Sequence, residues 1–217
     1  MFHKKKTAAV LLFLTLAVGL CGCGVDYEKQ DELKASGIKK LESYQPKEAL
    51  ADFEKAIALA GTKATKSEVD LCYYKGTAQT MMGEYDDAIE TYDGLISYDD
   101  KDEKAYFLRA CVKVKAGDIS GAKDDYETAF RLTEDGDVYF YGFTQLMTEG
   151  YKVEAMEFYE ETKDSIEDTK RLFYEQIAIY EEKGDFDKAR EAASQYLALD
   201  ADNKAVGREY DFLEMLK

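Results

Sequence analysis

A small residue followed four positions later by an aromatic or small one recurs five times along this chain, at Ala49/Phe53, Ala88/Tyr92, Ala122/Tyr126, Ala155/Tyr159 and Ala189/Ala193. The alanines lie 39, 34, 33 and 34 residues apart. Within a unit the apolar positions keep the helical period: Ala122, Tyr126 and Ala129 fall at i, i+4 and i+7, on one helix face. A recurrence near 34 residues with helical patterning predicts stacked helix-turn-helix units, each too small to bury its apolar face alone. The small residues let two helices approach, and the aromatic is expected to fill the space against the next unit. Glycine stands five residues before the alanine in four units, at Gly83, Gly117, Gly150 and Gly184, where it closes one helix and permits the turn into the next.

The first residues belong to a different regime. Lys4, Lys5 and Lys6 precede an uncharged, mostly apolar run from Thr7 to Leu20, shorter than the roughly 18 residues of a membrane-spanning helix and ending in small residues, as an export signal does. Leu20-Cys21-Gly22-Cys23 then resembles a bacterial lipobox, with Cys23 as the cysteine that becomes lipidated and N-terminal. Cys21 fits less well, because bulky Leu20 would sit directly before the cut. This reading divides the chain into a leader (1–22), a lipidated cysteine with a short tether (23–29), a repeat array (30–202) and a capping helix (203–217). The array splits at about 30–68, 69–102, 103–135, 136–169 and 170–202. Attached acyl chains would hold the protein to the bacterial cell membrane on its extracytoplasmic side, since each buried methylene contributes about 0.8 kcal/mol.

Composition narrows the partners. The formal net charge is −16, and losing the three lysines of the leader makes it −19. Such a surface repels phosphate backbones and anionic headgroups, so nucleic acid is not expected and membrane attachment falls to the lipid alone. The single histidine, His3, lies in the leader; of the four cysteines, Cys72 and Cys111 remain beyond the lipobox, each within a helical pattern, and read as buried thiols. No cofactor or metal is expected. With no histidine after the leader there is no Ser-His or Cys-His pair, and the abundant acids sit mainly in turns and on exposed helix faces, where Glu181 is one of them. An enzyme is not expected.

The turn and second-helix segments Gly83-Glu84-Tyr85-Asp86-Asp87-Ala88-Ile89 and Gly184-Asp185-Phe186-Asp187-Lys188-Ala189 resemble the tetratricopeptide repeat family. The family's small first-helix residue matches at Gly37, Gly76 and Ala110 and departs at Phe143 and Ile177. Its large residue four positions earlier is represented by Leu33, Tyr106, Tyr139 and Phe173, with Cys72 the exception. The closing proline is absent; turns would be set instead by Asp99-Asp100, Asp135-Gly136 and Asp200-Ala201-Asp202-Asn203, and Tyr44 stands where the first turn glycine belongs. The resemblance covers residues 30–202. It implies an all-α, right-handed α-solenoid of about five helix-turn-helix units plus a C-terminal capping helix.

The family also implies a concave wall made of first helices that receives a peptide. The residue after the large packing residue would face it, giving Lys34, Tyr73, Phe107, Phe140 and Tyr174. Four of these are aromatic. With Thr77, Met81, Cys111 and Thr144 one turn or two further on, they form a candidate peptide-binding groove. Two readings of the aromatics stand, contact with a partner or packing between helices. Asp31, Lys34, Asp70 and Tyr73 occupy the places of the family's carboxylate clamp, so that clamp is not expected. The functional expectation is an interaction module that recruits or scaffolds an envelope protein, with a self-associating or structural subunit as the alternative; the partner would be a protein or peptide and not a small-molecule substrate.

Overall fold

The computed structural model describes residues 26–60, 65–165 and 169–216. The lipobox cysteines Cys21 and Cys23 lie outside them. The described residues form α-helices and no strand: α1 Tyr27–Glu42, α2 Pro46–Ala58, α3 Lys66–Met82, α4 Tyr85–Tyr98, α5 Glu103–Ala116, α6 Ile119–Thr133, α7 Asp137–Thr148, α8 Lys152–Thr162, α9 Thr169–Glu182, α10 Phe186–Leu199 and α11 Lys204–Met215, with a 3-10 turn at Lys163–Ser165. Consecutive helices pack in antiparallel pairs, an all-α solenoid arrangement. The described residues form two compact units, dividing between Leu132 and Thr133.

Local chemistry sets the helix ends. Gly83, Gly117, Gly150 and Gly184 all take the left-handed conformation, with φ of 76°, 84°, 89° and 69°, as required where a helix closes and reverses. In the first unit that task falls to Tyr44, a side chain at φ 57°. Pro46 opens α2, where its missing N–H costs nothing. At turns between repeats, where the closing proline is absent, Asp102 accepts from the Ala105 amide at 3.1 Å and Asn203 from Ala205 and Val206 at 3.1 and 3.2 Å, while inside the last repeat Asp185 caps α10 by accepting from Lys188 at 3.3 Å. In the turn after α4 the Asp99 carboxylate accepts from the Lys101 amide at 3.0 Å, and Asp102 then caps α5. Thr65 and Glu68 make a capping box at the start of α3. Buried Gln30 donates from α1 to Glu68 at 3.1 Å and to the Ala56 carbonyl of α2 at 3.2 Å, joining three helices. Burial would raise the Glu68 carboxyl, but the Thr65 hydroxyl and Gln30 amide hold it below the usual range.

The core is built from one recurring contact. The second-helix aromatic packs on the small residue of its own first helix and also against the next helix pair: Phe53 on Gly37 and stacked on Tyr74 at 5.5 Å, Tyr92 on Gly76 and in one cluster with Ala105 and Val112, both rings essentially without exposure. Tyr126 likewise turns to α5, with its ring edge to Phe107 at 5.9 Å and its hydroxyl donating to the Cys111 sulfur at 3.5 Å. The departures at Phe143 and Ile177 have a volumetric reason. In α9 and α10 the sizes are exchanged, buried Ile177 sharing a cluster with Ala193. In α7 and α8 both partners are large, and Phe143 and Tyr159 sit side by side with ring centres 5.7 Å apart.

A second row, one turn on, separates the units. In residues 1–132 it is polar: Lys40 pairs with Asp52, the Thr91 hydroxyl donates to Gln79 at 2.8 Å, and Lys113 pairs with Asp125 at 2.8 Å. The corresponding pairs in residues 133–217 are Leu146/Phe158 and Tyr180/Ala192, which bury apolar surface instead. Beyond α10, the α11 face bearing Val206, Tyr210 and Leu213 joins the cluster of Ile177, Ala189, Ala193 and Tyr196. Burying each such side chain contributes about 1.5–3 kcal/mol.

Candidate binding surface

First helices α1, α3 and α5 of one unit, and α7 and α9 of the other, carry the residues singled out by spacing. Tyr73 on α3 is buried: its hydroxyl donates to the Asp102 carboxylate, and the Lys104 ammonium lies over its ring, 4.0 Å from the centre. Burial, followed by the facing Asp102 charge, pushes that hydroxyl well above the ordinary tyrosine value, so Tyr73 stays a neutral donor. The Thr77 hydroxyl donates to the Tyr73 carbonyl at 2.9 Å, and Thr144 does the same to Phe140 at 3.0 Å, so both spend their donor within their own helix. Phe107 is half-buried against Tyr126. Cys111, also half-buried, points its sulfur toward Tyr126, and burial raises its thiol, as it does that of Cys72. Met81 is 42% exposed.

In residues 133–217 the pattern repeats with different chemistry. Phe140 is buried beneath the Arg171 guanidinium, 3.4 Å from the ring centre, and Arg171 also approaches Tyr141 at 4.9 Å and Asp137 at 3.4 Å. Tyr174 is 52% exposed, its ring centre 5.8 Å from that of Tyr196. The four aromatics are therefore not equivalent: Tyr73 and Phe140 are interior rings covered by a cation from the following first helix, Phe107 is intermediate, and Tyr174 is open to solvent. Glu181 is not a simple exposed acid. One of its carboxyl oxygens is buried without a hydrogen-bond partner, and burial followed by the facing Glu209 pushes it up to about 7.

An open recess of about 420 Å3 adjoins Tyr174, lined by Lys170, Arg171, Tyr174, Tyr196 and Asn203. Lys170 reaches Asp200 at 2.7 Å, and the Asn203 amide nitrogen donates to the Tyr196 hydroxyl at 2.9 Å. The spacing argument missed Lys104, Arg171 and this recess. One signal was present: Lys104 follows Tyr73, and Arg171 follows Phe140, by 31 residues. Among the described residues no cluster of three His, Cys, Asp or Glu side chains is arranged to hold a metal ion, and no helix is long and apolar enough to cross a membrane.

A tetratricopeptide repeat protein from Parabacteroides merdae superposes with a TM-score of 0.61 at 15% identity, over 87% of this chain and 73% of that one. The fold is that of the tetratricopeptide repeat. The tetratricopeptide repeat protein YrrB, described as having an unusual peptide-binding site, superposes with a TM-score of 0.51 at 18% identity, over 86% and 94% of the two chains. PilF of Pseudomonas aeruginosa does so with 0.54 at 17% identity, over 88% and 84%. No family model matches the sequence, and no curated protein matches it. At these identities the likeness speaks to the tetratricopeptide fold, and the chemistry of the surface has to be read from this chain's own side chains.

Proposed function

We propose that this tetratricopeptide repeat chain is a lipid-anchored, extracytoplasmic interaction module that recruits or scaffolds a protein of the bacterial envelope. The observation that carries the reading is the exposure of Met81 and Tyr174 on first helices, Tyr174 at the register where Tyr73 and Phe140 are buried. A thioether and an aromatic ring suit an adaptable contact with a peptide segment, because both offer polarisable surface at small entropic cost. YrrB, a structural neighbour, is a tetratricopeptide repeat protein with a peptide-binding site. The anchor rests on Lys4, Lys5, Lys6, the apolar run and Leu20-Cys21-Gly22-Cys23. Nothing in the reading requires catalysis.

Two experiments test it. Photoreactive residues placed at 81 and 174 in living cells, with exposed Glu54 as the control site, should capture the same protein from one or both positions and not from 54. Uniform capture, or none, refutes recruitment. Metabolic labelling with a fatty acid should mark the wild type and not Cys23→Ala; equal labelling refutes the anchor. A second reading, a self-associating structural subunit, is favoured by the outer face of α11, where Phe212, Met215 and Leu216 are all exposed, Met215 to 76%. A sedimentation measurement giving a monomer at micromolar concentration removes it.

A further inference from the structure

The capping helix α11 meets the end of α9 through two acids. Glu181, in the last turn of α9, and Glu209, in the middle of α11, turn their carboxyls toward each other, both half-buried. One Glu181 oxygen is sealed from solvent and has no hydrogen-bond partner. The cations of the adjoining turns are paired with other acids. Lys183 of α9 pairs with Glu160 at 3.7 Å, and Glu182 with Lys152 of α8 at 2.6 Å. On α10, Lys188 pairs with Asp185 at 2.9 Å, and Arg190 with Asp187 and, at 3.3 Å, with Glu214 of α11. Tyr180 and Tyr210 pack on the apolar cluster alongside, and Arg208 is exposed.

Two facing carboxyls are held together by a proton. With one proton between them, one carboxyl donates its O–H to the other. Without it two negative charges face each other, and the sealed Glu181 oxygen belongs to a charged group that no donor reaches. Burial and then the facing Glu209 push the Glu181 carboxyl up to about 7, so the change falls near neutral pH. The rest of the α11 contact is of another kind: Val206, Tyr210 and Leu213 bury apolar surface with Ile177, Ala193 and Tyr196, and the Arg190 guanidinium donates to the Leu213 carbonyl at 3.3 Å. The helix is 12 residues long and packs on no later helix among the described residues, so it can open while α9 and α10 stay folded.

We propose that α11 is a proton-dependent latch, closed on α9 and α10 while Glu181 and Glu209 share a proton and released as that proton leaves. Release separates the two carboxylates into water and bares the apolar face of Ile177, Ala193 and Tyr196. In the closed form Glu181 keeps its proton up to about 7; with α11 open it returns to an ordinary carboxyl near 4.5. Closure is therefore favoured most below the ordinary value, and the advantage is lost as pH rises through about 7. The latch does not depend on the interaction-module reading.

Hydrogen exchange of the full-length chain in detergent, read peptide by peptide at pH 5.5 and pH 8 and corrected for the intrinsic rate at each pH, measures the opening of α11 separately from the rest. Protection of the α11 amides should fall about tenfold on going to pH 8, less than the full linkage ratio because water screens a half-exposed carboxyl. Protection of α3 should not change. Glu181→Gln, uncharged at either pH and able to donate its amide to Glu209, should hold α11 at pH 8 as firmly as at pH 5.5. Glu209→Gln, which removes the facing charge, should shrink the fall to about threefold or less. Thermal melts of both variants establish that folding is retained. Equal protection of α11 at the two pH values overturns the proposal, as does a fall of the same size in both variants. A parallel loss in α3 overturns it too, because it would mark general unfolding and not the release of one helix.

Discussion

Gly76→Ala adds a single methyl at the tightest point of the α3–α4 interface. A β-carbon built there lies 2.6 Å from Tyr92 Cζ, 2.8 Å from Cε1 and 2.9 Å from the hydroxyl oxygen, where ordinary contacts begin near 3.4 Å. The ring must retreat by most of an ångström. It has nowhere to go, because Tyr92 is 1% exposed and surrounded by Ala88, Leu95, Ala105 and Val112. Overpacking of a close-packed core costs about 1–3 kcal/mol, while replacing glycine by alanine inside a helix returns about 0.8–1 kcal/mol. Because the ring cannot move aside, the cost falls in the upper part of that range, about 2–3 kcal/mol, and the net expectation is about 1–2 kcal/mol of destabilisation, roughly 5–10 °C in Tm for a unit of this size. Gly94→Ala is the control: it makes the same chemical change in α4, at a site where the new methyl meets nothing within 4 Å. It should raise stability by about 0.5–1 kcal/mol. Urea unfolding followed by circular dichroism measures both. If Gly76→Ala is neutral or stabilising while Gly94→Ala behaves as stated, the close approach of Tyr92 is not what requires a glycine there, and the packing argument fails.

Three further outcomes follow from the same structure. Tyr44 holds a left-handed backbone at 86% exposure, so Tyr44→Gly should stabilise by about 0.5–1 kcal/mol in thermal melts, the relieved strain exceeding the extra freedom of the unfolded glycine. Asp125, almost fully buried, accepts from Arg109 at 2.8 and 2.6 Å and pairs with Lys113; Asp125→Asn leaves two cations short of their shared partner and should cost about 3 kcal/mol by chemical denaturation, and a loss under 1 kcal/mol would show the pair to be dispensable. Glu181 titrates at about 7 when folded, above its unfolded value near 4.5. The folded state therefore holds this proton more tightly, and the associated stability is complete below the unfolded value and lost as pH rises through about 7. Glu181→Gln should flatten the decline in Tm between pH 5 and 8; an unchanged slope would remove Glu181 as its origin.

Much of the fold was readable along the chain. The turn glycines 83, 117, 150 and 184 announced their left-handed backbones because no other residue adopts that conformation so cheaply, and the alanine-aromatic spacing gave the second helices because helical period is a property of consecutive residues. The candidate surface was less legible. One rule selected Tyr73, Phe107, Phe140 and Tyr174 together, yet their exposures differ because each depends on a residue in another helix: Lys104 covers the first, Arg171 the third, and Ala205 leaves the last without such a cover.

Periodicity, capping chemistry and charge are local or summed properties, so the sequence by itself determined a tetratricopeptide-like helical array on a strongly acidic chain. Which aromatics are walls and which are surface was decided only by the tertiary structure. So were the exchange of large and small residues at Ile177 and Ala193, the polar row of one unit against the apolar row of the other, and the donor-lined recess at Tyr174. Burial is a relation between residues brought together from different helices, and a one-dimensional pattern carries that relation only where the partner's position in the chain is also fixed.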